Sequence, residues 1–135
     1  TLRYDGEMTG ACESGTYPAI EFSAPKEFDG PGSGWSPEGM LLASVASCIA
    51  LTFASIAKMM KVEFRDFALT AQGVVDAMPD KRMHFSKITI QPSLTLADPA
   101  AEGKLGKIFE NTEKHCLVSN SLQTTIAIAP PALGS

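Results

Sequence analysis

The chain is short of cysteine, short of clustered positive charge, and without charge of either sign across its longest apolar stretch. Its three cysteines include no Cys-x-x-Cys pair, which argues against a secreted disulfide framework and fits a reducing, cytoplasmic compartment. No run of Lys or Arg exceeds two, and the net charge is −4, so nucleic acid and anionic membrane surfaces are poor partners. Metal-ligand spacings such as CxxC or HxxxH are missing, and no metal site or cofactor is expected. The Gly/Pro-rich segment 24–34 lacks the Gly-Lys-Ser/Thr ending of a phosphate-binding loop and reads as a connector. No signal peptide is read at the start. At 135 residues the expectation is one domain, 1–135, large enough to bury a sizeable core.

The third absence shapes the molecule. Between Gly39 and Ala57 there is no charged residue. Ser36 is placed to cap a helix, Pro37 suits its first turn, and Trp35 with Met40 can close a hydrophobic staple. The spacing predicts a helix over Ser36–Met60, roughly 36 Å long at the usual rise. A helix apolar all round is expected to be buried on every side, in a core or a membrane. The flanking amphipathic segments need it as their core, so the reading is a buried helix of a soluble protein, with Cys48 at its middle.

Around it the chain reads as strands and a second helix. Leu2 to Cys12 alternates as a half-exposed strand, and Thr16 to Ser23 follows as its hairpin partner, Pro18 hinting at an edge. After the long helix, Phe67 to Val75 and Phe85 to Leu96 form a second hairpin about a turn at Met78-Pro79-Asp80-Lys81. Ile88, Ile90, Leu94 and Leu96 should point inward and Lys87, Thr89, Gln91, Ser93 and Thr95 outward, with Pro92 implying an edge or a bulge. Asp98-Pro99 opens a helix to about Cys116, whose apolar face is Ala101, Leu105, Ile108, Thr112 and Cys116. A turn at Ser119-Asn120-Ser121 leads to a strand, Gln123 to Ala129, closed by Pro130-Pro131. The order is ββαββαβ, an α+β fold.

Cys48 and Cys116 fall on the apolar faces of the two helices. A free cysteine is ordinarily a small buried hydrophobe, and Cys12 reads as that. Two thiols on converging faces fit what a peroxidase requires: a thiolate to attack the peroxide and a second thiol to resolve the sulfenic acid. His115 reads as a cation at a helix end.

The block SPEGMLLASVASC, with Glu38 ten residues before Cys48, resembles the first signature of the OsmC/Ohr family of hydroperoxide-reducing proteins. EKHCLVSNSL, from Glu113 to Leu122, resembles the second. The resemblance spans nearly the whole chain. It implies an OsmC-like fold, an intertwined homodimer and a cofactor-free peroxidase, with Cys48 as the peroxidatic thiol and Cys116 as the resolving one. Glu38 would match the carboxylate that holds an arginine near the reactive sulfur. The chain departs from the pattern in one respect: the family arginine lies in the N-terminal hairpin, and Gly6 to Phe22 contains none. Glu38 therefore also reads as a favourable charge in a helix first turn.

The function expected is reduction of hydroperoxides, organic ones preferred, with an external dithiol restoring the pair. Other readings are a non-catalytic member of the fold that binds a small apolar ligand, and a cysteine-dependent sulfur or acyl transfer enzyme.

Overall fold

The computed structural model describes residues 1–135, which fall into two compact units, Thr1–Leu41 and Leu42–Ser135. The first is an antiparallel sheet of β1 (Leu2–Gly6), β2 (Thr9–Cys12) and β3 (Ile20–Ser23), in that order. The expected single strand Leu2–Cys12 is thus two strands joined at Glu7-Met8, both left-handed at φ 50° and 61°. Two consecutive positive φ values make the tight turn that matches strand twist. Asn-Gly is its usual signature, and Glu-Met conceals it within the alternation. Gly10 sits opposite Tyr4, and a Cβ there would strike the Arg3 carbonyl and the Phe22 ring. Pro18 lies before β3 rather than within it.

The connector is tied back to β3. The Ser23 N–H donates to the Trp35 carbonyl at 3.0 Å, the Trp35 N–H to Glu21 at 3.0 Å, and the Gly34 N–H to Ser23 Oγ at 2.9 Å. Helix α1 (Pro37–Met59) starts as the sequence predicts: Ser36 Oγ accepts from the Gly39 N–H at 3.0 Å.

In the second unit α1 buries a single stripe, Val45, Ile49, Phe53 and Ala57. Burial on every side is not met within one chain, because Ser44, Ser47, Leu51, Ser55 and Met59 line an exposed strip. By length and composition α1 could cross a membrane. Here its buried stripe is the spine of a core. The Phe53 ring lies 5.2 Å from that of Phe64, 4.5 Å from Phe67 and 4.6 Å from Phe109, contacts that add to area burial. A neighbouring cluster joins Val45 and Ile49 to Ile88, Ile90 and Cys116.

The sheet under this stripe pairs β4 (Phe64–Ala77) antiparallel with β5 (Met83–Leu96), and β5 parallel with β6 (Thr125–Ile128) and the short β7 (Ala132–Leu133). Ile88, Ile90, Leu94 and Leu96 are buried as the alternation predicts. Thr95, expected outside, is buried beside Gly134 at the chain end. Pro92 lies in the central strand rather than at an edge. The carbonyls of Ile90 and Leu94 accept from Ala129 and Gly134 on one side, and residues two apart share that side. The absent N–H of Pro92 therefore faces the gap between β6 and β7, where Pro130-Pro131 breaks the last strand.

The Asp98 side chain accepts from the Ala100 N–H at 2.9 Å and opens a 3₁₀ stretch, Pro99–Lys104, before α2 (Leu105–His115). Gly103 and Gly106 weaken the α-helix that the sequence suggested for the whole segment. A short α3 (Leu117–Asn120) follows where a turn was expected. The α+β class and the element order hold, with the first strand split in two, and α3 and the short β7 added.

Candidate functional site: a thiol pair at a helix start

Cys48 and Cys116 come together although they lie far apart in the chain, Cys48 within α1 and Cys116 between α2 and α3. Cys48 is half-buried on α1, one turn before Thr52, and Cys116 is fully buried at the junction of α2 and α3. The backbone explains this second placement. Cys116 is extended, at φ −70° and ψ 107°, and so ends α2 and serves as the N-cap of α3. Its N–H donates to the Thr112 carbonyl at 2.9 Å. The first N–H groups of any helix lack intrahelical partners. Those of Leu117 and Val118 favour the charged form of the Cys48 sulfur.

Four groups in all favour the Cys48 thiolate. Its partial burial pushes the thiol up, and this is outweighed by the Val118 N–H, the Cys116 thiol, the Thr52 hydroxyl and the Leu117 N–H, in that order. The Cys48 pKa consequently falls below its ordinary value, because hydrogen bonds to the charged form favour it. The Thr52 hydroxyl also reaches the Cys48 carbonyl at 2.8 Å. With one proton to give, it serves the carbonyl or the thiolate at any moment. Ser119 Oγ donates to the Cys116 sulfur at 3.1 Å.

Thr52, Ser119 and the two peptide N–H groups are contributions that sequence reasoning missed. A threonine four residues after a helical cysteine lies on the same face, and that signal was available. The helix start after Cys116 was not, because Leu-Val-Ser-Asn carries no cap signature.

A groove of about 610 Å³ runs along α1 and α2, lined by residues next in the fold to the thiols, Thr52 one turn after Cys48 and His115 just before Cys116. Leu51, Ile56, Met59 and Met60 supply its apolar wall, and Thr52, Asn111 and His115 are among its polar members. His115 ends α2 as expected, with Nδ1 2.9 Å from the Asn111 carbonyl.

In the first unit Glu38 occupies the first turn of α1, and its Oε2 is buried without a hydrogen-bond partner. Such an atom normally has a donor. The three arginines are exposed and paired with near neighbours, Arg3 with Asp5 and Glu13, Arg65 with Asp66, and Arg82 with Asp80. Cys12 is a half-buried thiol of β2, opposite Leu2 and Ile20.

Fold and sulfur geometry define an α+β protein with two adjacent free thiols on its helices. The model of the family described as OsmC-like protein matches residues 30–130, and the chain belongs to that family. YmaD of Bacillus subtilis (strain 168) is 30% identical over 122 residues, which cover 88% of this chain and 80% of that protein. The fold resembles an OsmC-like protein from Mycoplasma pneumoniae, with a TM-score of 0.84, 18% identity, and coverage of 100% of this chain and 95% of the other. It also resembles the organic hydroperoxide resistance protein OhrB of Bacillus subtilis, with a TM-score of 0.68, 18% identity, and coverage of 99% and 95%.

Proposed function

We propose that this chain is a cytoplasmic, thiol-dependent hydroperoxide reductase, acting over residues 1–135 as one functional domain and assembling as an intertwined homodimer. The observation that carries the reading is the juxtaposition of the two free thiols, Cys48 half-buried and Cys116 fully buried in one packed cluster. Two peptide N–H groups and two side chains favour the Cys48 thiolate, the species that attacks a peroxide.

Cys48 attacks the terminal oxygen of R–O–O–H. A sulfur–oxygen bond forms, the O–O bond breaks, and the alkoxide leaves to be protonated. The resulting sulfenic acid condenses with the Cys116 thiol, releasing water and forming a disulfide. An external dithiol then reduces the disulfide by exchange and is itself oxidised. No cofactor takes part. Organic hydroperoxides are favoured because the groove is walled by Leu51, Ile56, Met59 and Met60, and apolar burial contributes about 25 cal/mol per Å².

Glu38 enters as a carboxylate whose buried oxygen has no hydrogen-bond partner, and the role the family resemblance gives it is to hold a cation. Assembly is supported by the exposed strip of α1, where Leu51 is 74% and Met59 78% accessible. Such apolar surface marks an interaction site, and a second copy laid over it would also shut the groove from water.

The test is steady-state turnover of cumene hydroperoxide with dithiothreitol as reductant. Catalytic consumption of the peroxide is expected. Its absence would overturn the reading in favour of a non-catalytic protein that binds a small apolar ligand, or of a sulfur or acyl transfer enzyme.

A further inference from the structure

The proposed reaction leaves one proton unassigned. When Cys48 breaks the O–O bond of an alkyl hydroperoxide, the departing oxygen is an alkoxide, a poor leaving group unless it is protonated as it leaves. The donors on Cys48 favour the thiolate before attack. They do nothing for the oxygen that leaves on the far side of the broken bond.

We propose that His115 protonates this oxygen, an inference that rests on the hydroperoxide reading. Three observations support it. First, His115 and Thr52 line the same groove, Thr52 stands one turn after Cys48 on α1 with its hydroxyl on the Cys48 carbonyl at 2.8 Å, and His115 directly precedes Cys116, so a substrate lying in the groove with its terminal oxygen at Cys48 runs toward His115. Second, His115 is the sole titratable side chain in the groove wall, whose other members are Leu51, Thr52, Ser55, Ile56, the two methionines and Asn111. Third, the ring is held in a defined state. Nδ1 lies 2.9 Å from the Asn111 carbonyl, and a carbonyl only accepts, so Nδ1 carries hydrogen and Nε2 is the nitrogen left to take up and release a proton.

The step balances. Cys48 thiolate, R–O–O–H and an imidazolium become Cys48 sulfenic acid, R–OH and a neutral imidazole. The O–O electron pair goes to the leaving oxygen, and the Nε2 proton follows it. The exposed ring is recharged from water. Each of the three arginines already faces a carboxylate of its own, and no lysine or arginine lines the groove.

The test separates proton donation from mere placement by changing the leaving group. Wild type, His115→Gln and His115→Ala are oxidised in single turnovers by cumene hydroperoxide, which expels an alkoxide, and by peracetic acid, which expels a carboxylate that needs no proton. Both substitutions should slow the cumene hydroperoxide reaction by about 10²-fold or more, the usual scale of general-acid catalysis, and leave the peracetic acid rate close to wild type. Equal slowing with both oxidants would overturn the assignment by making His115 a structural residue, and unchanged rates with both would overturn it as well. Failure of wild type to react with either peroxide would instead overturn the hydroperoxide reading on which the inference rests.

Discussion

The two units of the chain treat their apolar residues differently. In Thr1–Leu41 the only apolar side chain fully in a core is Ala11, while Leu2, Tyr4, Met8, Tyr17, Ile20, Phe28 and Trp35 remain exposed. In Leu42–Ser135 Phe53, Ile49, Ile88, Ile90, Leu94 and Ile108 are almost wholly buried. A unit of about 40 residues has too little interior to close a core of its own. The larger unit packs its core around α1, and the thiol pair lies against that packing. The contrast separates a finished interior, which fixes the geometry of two sulfurs, from open apolar surface, which the larger unit also carries along α1 at Leu51 and Met59.

The contrast is broken most directly at the sulfur. Cys48→Ser should reduce peroxide turnover to the uncatalysed background, since a hydroxyl cannot replace a thiolate nucleophile; residual turnover close to wild type would move the chemistry elsewhere. Next is the interior. Phe53→Ala removes the ring shared by Phe64, Phe67 and Phe109 and should cost about 3–5 kcal/mol, seen as a lower midpoint in urea unfolding.

The exposed surface gives the third comparison. Sedimentation of the wild type at micromolar concentration should report a dimer, and Leu51→Glu, on the open strip of α1, should shift it toward monomer. A monomeric wild type would remove the assembly.

The fourth sharpens the thiol itself. Because the Cys48 pKa is lowered, its thiolate persists at a pH where a free thiol is protonated. Iodoacetamide labelling of Cys48 should therefore rise at lower pH than labelling of a short cysteine peptide. The same shift makes the folded state gain stability as pH rises through the folded pKa, fully present above the unfolded value and lost again on acidification. The smallest effect belongs to the other unit. Cys12→Ser, on β2, should leave turnover unchanged and alter stability by about 0.5 kcal/mol or less.

Much of this was legible in the sequence because the strongest signals are periodic. Ile88, Ile90, Leu94 and Leu96 alternate and are buried; Leu105, Ile108, Thr112 and Cys116 follow helical spacing and are buried too. The caps at Ser36 and Asp98 also stand where side-chain chemistry puts them. What escaped depends on the backbone. The turn at Glu7-Met8 takes left-handed angles without Asn or Gly. The start of α3 depends on the extended conformation of Cys116, and no residue type announces it. The exposed strip of α1 was hidden for another reason: an uncharged helix looks buried all round in sequence, whether its cover comes from its own chain or from another. The juxtaposition of Cys48 with Cys116 was expected from converging apolar faces. The N–H groups that favour its thiolate were not.

The most direct measurement is peptide mapping by mass spectrometry after reduced protein meets one equivalent of cumene hydroperoxide. A two-thiol cycle predicts a linked peptide joining Cys48 to Cys116, with Cys12 still a free thiol. Sulfinic acid on Cys48 beside an unmodified Cys116, or oxidation confined to Cys12, would contradict it.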